Sequence, residues 1–305
     1  MILKVMRESC RFNKCIGYSV LFLLLFFVQN TGASEQQEEL LIGIEPEHNI
    51  FDQVEKYRIL AEYLSRELNI KVRLTVMSRY GEVLNRFKSR RLDGAFLSSY
   101  TATMALKQLN LTPVVSPVNL QHISTCQSYI FVRRDSGIKS VDDMKGKNMV
   151  FVDPASTEGY LFTAVLLHQK GITEMTTFFN HYFFAGSHAS AIFNVLDGKA
   201  DIGCAKSTTF NRLIAKDPSI KSELLIIAES QPFPETTLCI RKDLPIELQQ
   251  KLTSTLLAIN TSESGRKILP KMEMNKFINA AESDFRSISD MMLDIAAKPL
   301  AFNAN

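Results

Sequence analysis

Beyond Val28 the chain has no apolar run long enough to cross a bilayer, so no later segment is read as a membrane span. No cysteine follows the apolar run Ile16–Val28 near the small residues Thr31-Gly32-Ala33, which argues against a lipid-anchored form. Excess charge is also lacking. The whole chain has 35 basic and 32 acidic side chains. Lys4, Arg7, Arg11, Lys14 and Glu8 fall in the first 33 residues, which leaves 31 of each sign. That balance gives no support to nucleic acid or a general anionic surface as partner. Cysteine is scarce as well. Cys10 and Cys15 precede Ala33, and Cys126, Cys204 and Cys239 remain. An odd count allows at most one internal bridge, and the spacing matches no zinc pattern. The three are expected to be small buried hydrophobes. No G-x-S-x-G elbow, phosphate loop or dinucleotide fingerprint occurs, and no two histidines have metal-binding spacing. Catalytic residues, a metal and a cofactor are therefore not expected.

What is present begins with a leader. A basic start, the apolar run and Thr31-Gly32-Ala33 form the pattern of a secretory signal peptide over residues 1–33, cut after Ala33. Strand and helix patterns then alternate. Leu40–Ile44, Lys71–Met77, Ala95–Leu97 and Thr112–Val118 read as strands. The helix Val54–Leu68 carries Tyr57, Leu60, Ala61, Leu64 and Leu68 on one face. A second alternating set runs from Tyr129–Val132 through Met149–Val152, Thr177–Phe184, Asp201–Ala205 and Leu224–Ala228, with Thr237–Arg241 as a further strand. The rest of the chain reads as helical: Ile246–Asn260, Ser262–Leu269 and Ser283–Ala297. The order implies an α/β fold with largely parallel sheets.

One stretch organises the rest. Phe151-Val152 ends a buried strand, Asp153-Pro154 breaks it, and Ala155-Ser156-Thr157-Glu158-Gly159-Tyr160 leads into a helix. A helix start of this kind has free backbone N–H groups and two hydroxyls beside them, which suits an anion. Ser156 or Thr157 could equally cap the helix and nothing more. An echo occurs elsewhere: Asp93-Gly94, a short strand and Ser98-Ser99 resemble Asp197-Gly198, a short strand and Ser207-Thr208. Both place hydroxyls where ligands bind in open α/β sheets.

From Ser128-Tyr129-Ile130-Phe131-Val132 the chain runs through Asp142-Asp143-Met144-Lys145-Gly146-Lys147 into Asp153–Tyr160. Gly186-Ser187-His188, Gly198-Lys199-Ala200-Asp201-Ile202-Gly203 and Pro232-Phe233-Pro234 come next, in order. This pattern resembles the periplasmic phosphate/phosphite/phosphonate-binding proteins of ABC transporters. The resemblance implies a two-lobed type II periplasmic-binding-protein fold with a two-strand hinge. Lobe 1 would be residues 40–125 plus 242–305, and lobe 2 residues 126–241, with Tyr129–Val132 and Thr237–Arg241 as crossings and the terminal helices packed on lobe 1. It implies a monomer in the periplasm that captures a small oxyanion and delivers it to a transporter permease. The alternatives are a ligand-sensing partner of a membrane sensor protein and, remotely, an enzyme on the same fold.

The resemblance also carries site residues. Ser156, Thr157, Gly159 and Tyr160 match the turn that holds the oxyanion, and Ser187 and His188 match the turn that supplies a histidine. Ser98, Ser99 and Tyr100 stand at the corresponding helix start of lobe 1, where many members have a Gly-Pro turn. Tyr57 matches a family aromatic, and is either a ligand contact or a core tyrosine. Glu158 stands where the family usually has serine, and Lys206 where many members have aspartate. These two are specificity candidates. They point to a swapped ligand, zwitterionic or carboxylated, with Glu158 and Lys206 pairing in the empty or closed state. Among the other histidines, His48 lies in a cleft-facing loop, His168 suits the end of a helix dipole, His181 is structural and His122 lies on the surface.

Overall fold

The computed structural model describes residues 39–46, 50–79 and 82–297. The leader with its cut after Ala33, and His48, lie outside the described residues. Strands β1 (Glu39–Ile44), β2 (Lys71–Val76), β3 (Gly94–Leu97) and β4 (Leu111–Asn119) alternate with helices α1 (Ile50–Leu68), α2 (Glu82–Lys88) and α3 (Ser99–Gln108). α1 forms because its apolar positions recur at helical spacing, with Asp52 in the first turn and Arg66 in the last to complement the dipole. Its face of Tyr57, Leu60, Leu64 and Leu68 is buried on Leu40, Ile42 and Ile44 of β1. Full burial of a leucine such as Leu60 contributes about 1.5–3 kcal/mol.

The chain then passes through β5 (Thr125–Cys126) into β6 (Ser128–Arg133), β7 (Asn148–Phe151), α4 (Phe162–Gln169), α5 (Met175–Phe178), β8 (His181–Phe184), α6 (His188–Leu196), β9 (Ile202–Lys206), α7 (Ser207–Lys216), α8 (Ser219–Glu223) and β10 (Leu224–Glu229). It returns through β11 (Phe233–Pro234) to β12 (Thr237–Arg241), α9 (Ile246–Leu257), α10 (Glu263–Ile268), β13 (Met274–Asn279) and α11 (Arg286–Ala297). The first sheet has the order β13-β4-β12-β3-β1-β2, and the second has the order β10-β6-β9-β7-β8. Phe151 centres the aromatic core of the second sheet, 5.3 Å from Tyr160 and 6.0 Å from Tyr182 between ring centroids.

Both sheets are mixed where largely parallel ones were expected. β1 runs parallel to β2 and β3, and β7 to β8 and β9. β12 runs antiparallel to β3 and β4, and β6 to β9 and β10, because these strands enter after the chain has changed sheet. For the same reason the segments read as crossings are sheet strands: β12 lies between β3 and β4, and β6 between β9 and β10. The passage between the sheets is the short antiparallel pair β5–β11, with Phe233 opposite Cys126.

Two further expectations change. The chain after residue 260 is not all helix, since β13 adds a strand at the edge of the first sheet. A bulge between Met274 and Lys276 puts its buried residues, Met274 and Phe277, out of the period of two that marks a strand. The segment 177–184 is strand only in its second half, and its first residues complete α5. α9 and α10 pack on the first core, whereas α11 sets Ile288 against Leu161 and Val165 beside α4. There Asp294 Oδ1 lies 3.6 Å from His168 Nδ1. Cys126, Cys204 and Cys239 are all buried and unbridged.

Candidate functional site

The turn after β7 is tighter than an ordinary helix start. Asp153 Oδ1 accepts the Ala155 N–H at 2.8 Å and closes the chain reversal. Thr157–Leu161 then form a π-helical turn, in which the Leu161 N–H donates to the Ser156 carbonyl at 3.0 Å. Ser156 Oγ caps it, accepting the Gly159 N–H at 3.0 Å. The Val152 N–H donates to the Gly159 carbonyl, so the turn folds back on its own strand. A Cβ on Gly159 would stand 2.3 Å from the Val152 Cβ, a distance only glycine avoids.

A second helix start meets this turn from the first sheet. The Tyr100 N–H donates to Thr157 Oγ1 at 2.7 Å. Thr101 Oγ1 reaches the Ala155 carbonyl at 3.4 Å, and Ser99 Oγ donates to the Pro234 carbonyl at 2.6 Å. The Ser98 N–H donates to Glu45 Oε2 at 2.7 Å, so a carboxylate already occupies that helix start. The third start is that of α6. Gly186 takes φ +76°, and Ser187 Oγ accepts the Ser190 N–H at 3.1 Å. His188 is fully buried, and its Nδ1 accepts the Lys206 N–H at 3.1 Å. That bond fixes the neutral ring with its proton on Nε2.

Glu158 is 1% exposed. Its Oε1 accepts the Cys126 thiol at 2.8 Å, and its backbone carbonyl accepts Ser128 Oγ at 2.5 Å. Its Oε2 is buried with no hydrogen-bond partner. Burial first, and then the Glu158 charge, push the Cys126 thiol well above its ordinary value. Lys206 is equally buried, and its ammonium lies 3.4 Å from Glu235 Oε1. The expected pairing of Glu158 with Lys206 is thus replaced by two separate partners. Burial raises the Asp153 carboxyl as well.

The sequence-predicted residues Ser98, Ser99, Tyr100, Ser156, Thr157, Glu158 and Gly159 therefore lie in two helix starts joined by the Tyr100–Thr157 and Thr101–Ala155 bonds, while Ser187, His188 and Lys206 form a third group, joined through the His188–Lys206 bond and tied to the end of β7 by the Gly186 N–H on the Val152 carbonyl. Tyr57 does not join the contacts of the turn. It packs in the first core, 5.3 Å from Phe96 between ring centroids. Tyr160 is inward among Phe151 and Phe184, and burial raises its phenol. Glu45 and Glu235 were missed by sequence reasoning. Glu45 looked like the end of a strand, and its contact with Ser98 spans 53 residues. Cys126 was read as a buried hydrophobe, without its bond to Glu158.

A family profile described as "ABC transporter, phosphonate, periplasmic substrate-binding protein" matches residues 42–285. The chain is 25% identical over 201 residues to a phosphate-import protein PhnD of Mycolicibacterium smegmatis, covering 63% of each chain. It is 20% identical over 279 residues to a probable ABC transporter phosphite-binding protein of Prochlorococcus marinus, covering 88% of this chain and 93% of that one. Among solved structures, a binding protein component of an ABC phosphonate transporter from Pseudomonas aeruginosa superposes with a TM-score of 0.78 at 19% identity, over 88% of this chain and 91% of the other. The Prochlorococcus marinus PhnD1 structure with methylphosphonate has a TM-score of 0.75 at 19% identity, over 86% and 99%. These structures share the two-lobed α/β fold.

Proposed function

The chain belongs to the periplasmic substrate-binding proteins of phosphonate ABC transporters, and from that premise we propose that it captures a small phosphonate-type oxyanion between its lobes and delivers it to the transporter permease. The leader over residues 1–33 supports export to the periplasm, with cleavage after Ala33. Membership in a transport family supports a role without turnover. We keep the division into lobe 1, residues 40–125 plus the chain from 242, and lobe 2, residues 126–241, moving only β12 to lobe 1 because it lies in the first sheet, with β5–β11 as the hinge.

The observation that carries the reading is the meeting of helix starts from both sheets at Thr157, whose hydroxyl takes the Tyr100 N–H at 2.7 Å. A ligand at that point would touch both lobes, which is what couples binding to hinge closure. Ser156, Thr157 and Gly159 supply the turn, Ser187 and His188 the neighbouring start, and Ser98 to Tyr100 the facing one. His188 contributes a neutral ring with a donating Nε2, suited to an oxyanion. Glu158 and Lys206 set specificity.

Calorimetric titration of the exported protein with methylphosphonate, phosphite, phosphate and 2-aminoethylphosphonate tests the reading. Saturable binding of at least one, with no phosphate released from the phosphonates, is expected. Absence of binding by all four would sink it.

A further inference from the structure

Helix α11 belongs to neither lobe alone. β13 and the short turn Glu282–Phe285 lead into it from the first sheet. There Phe285, 2% exposed, is buried with Leu97, Ala102 and Cys239, and the Lys242 ammonium lies 3.2 Å from Glu282 Oε1. The base of α11 is thus fixed in lobe 1. Its far end lies against lobe 2. Ile295 packs on the core of the second sheet, and Asp294 faces two residues of α4. Its Oδ1 is 3.6 Å from His168 Nδ1, and its Oδ2 accepts from Gln169 Nε2 at 3.4 Å. We propose that α11 is a strap that holds the two lobes together, favours the closed arrangement before a ligand binds, and so sets the affinity of the site. The inference rests on the two-lobed binding-protein reading and not on which oxyanion is bound.

The middle of the helix lies at the junction. Ile288, Met291, Met292 and Ile295 recur at helical spacing and form one apolar face. Ile288 is fully buried among Leu161 and Val165 of the second lobe and Phe233 of the hinge strand β11, with Tyr100 of α3 packed against the same cluster. Leu161 is the last residue of the π-helical turn, and Tyr100 gives its N–H to Thr157 of that turn. Ile288 therefore packs where the helix starts of the two lobes meet.

Stiffness makes this face a strap rather than a passive cover. α11 has 12 residues, about 18 Å at the rise of an α-helix, and its backbone hydrogen bonds keep it from stretching. Opening about β5–β11 moves α4 away from α3, and α11 cannot follow both. Either Phe285 leaves the first core or the face from Ile288 to Ile295 leaves α4, and in both cases apolar surface goes to water. That cost falls on the open form alone. A ligand that needs the closed form binds with an apparent affinity scaled by the fraction of protein already in that form. A strap that raises the fraction raises the affinity without touching the ligand.

The test reads the distance between spin labels at Glu62→Cys in α1 and Lys216→Cys in α7, both exposed and on two helices that line a shared cavity from the two lobes. It uses the exported protein, first without ligand and then with methylphosphonate. The parent protein should give one short distance that methylphosphonate leaves unchanged. Ile288→Ala should add a longer distance that methylphosphonate removes, and should weaken methylphosphonate binding about tenfold in calorimetry. Should Ile288→Ala fail to fold, the double variant Asp294→Ala, Ile295→Ala, at partly exposed positions, tests the tip of the strap. It should show the same longer distance and a loss of about threefold. A helix that only stabilises the fold would lower the melting temperature of these variants and leave the distances as in the parent. That outcome overturns the strap, as does a parent protein found mostly at the long distance without ligand. If methylphosphonate binds none of the proteins, the phosphonate reading fails, and the distances without ligand still decide for or against the strap.

Discussion

Two strand–turn–helix units meet at Thr157, and they solve the same problem in opposite ways. In the first sheet β3 leads into α3, and the buried Ser98 N–H is satisfied by Glu45, a carboxylate from another strand end. In the second sheet β7 leads into the π-helical turn, and Ser156 satisfies Gly159 from within the turn. The first start thus already holds an anion of the protein's own. The second keeps its capping local and uses Thr157 to meet its neighbour. A pair of hydroxyl-rich helix starts is therefore not a pair of equivalent anion sites. What distinguishes them is whether a distant carboxylate has been placed on the N–H groups, because the dipole favours either occupant.

The comparison breaks most sharply at glycine. Gly159→Ala forces a Cβ to 2.3 Å from Val152, in a turn that has no room to shift. Overpacking of this kind costs about 1–3 kcal/mol and occasionally more, so a melting temperature lower by about 6 °C is expected, together with loss of ligand binding. Gly43→Ala, on β1 of the first unit, is the control. Its Cβ would stand 3.0 Å from Leu92 Cδ1 and 3.1 Å from Met77 Cε, the ends of flexible side chains. Thermal melts should show a smaller change there. Equal losses would mean that the turn after β7 is no tighter than the strand.

Next in size is the removal of the distant carboxylate. Glu45→Ala leaves the Ser98 N–H without that acceptor at a 3%-exposed position. A stranded buried donor costs about 1–3 kcal/mol, read as a lower midpoint in urea unfolding. Glu45→Gln keeps an acceptor oxygen and should recover most of it. If both variants unfold like the wild type, the Glu45–Ser98 bond is not what holds the first helix start.

How much of this was legible beforehand depended on sequence distance. The face of α1 and the strands β1 and β7 follow from periodicity within a few residues. The hydroxyl turns at Ser98, Ser156 and Ser187 were visible for the same reason, since caps are local. β13 was lost because its bulge shifts Met274 and Phe277 off the strand period. The mixed sheets were lost because strand direction depends on where the chain returns, and a short pattern does not carry that. Contacts of Glu158 with Cys126, Glu45 with Ser98 and Lys206 with Glu235 join residues 32, 53 and 29 positions apart. Their partners are chosen by the order of strands in the two sheets, so the sequence showed the unusual side chains but not whom they would meet.

Glu158 is where the second unit can be sharpened. Its buried carboxylate lies at the helix start that the reading assigns to an oxyanion, and like charges at such a point repel. Glu158→Ser should tighten binding of methylphosphonate about tenfold, equivalent to about 1.4 kcal/mol, as measured by calorimetry. A comparable gain from Glu45→Gln would show that both starts face the ligand equally. No change in Glu158→Ser would mean that the carboxylate points away from the ligand.

The smallest effect concerns the thiol that donates to Glu158. Burial, then the Glu158 charge, raise the folded Cys126 above its ordinary value of 9.0. A raised thiol adds stability that is fully present below the unfolded value and is lost as pH rises past it. Near neutral pH, Cys126 therefore contributes its full share, and between about pH 9 and 9.5 it gives up less than about 1 kcal/mol. Cys204, raised to about 12, and Cys239, raised further, add slopes of the same sign. Urea unfolding from about pH 7.5 to 10 should show stability falling above about pH 9, and Cys126→Ala should remove one proton's worth of the slope, about 1.4 kcal/mol per pH unit at its steepest. An unchanged slope would mean that the Cys126 thiol ionises as readily in the folded protein as in the unfolded chain. The contact with Glu158 would then open in solution, and the second helix start would be as accessible as the first is occupied.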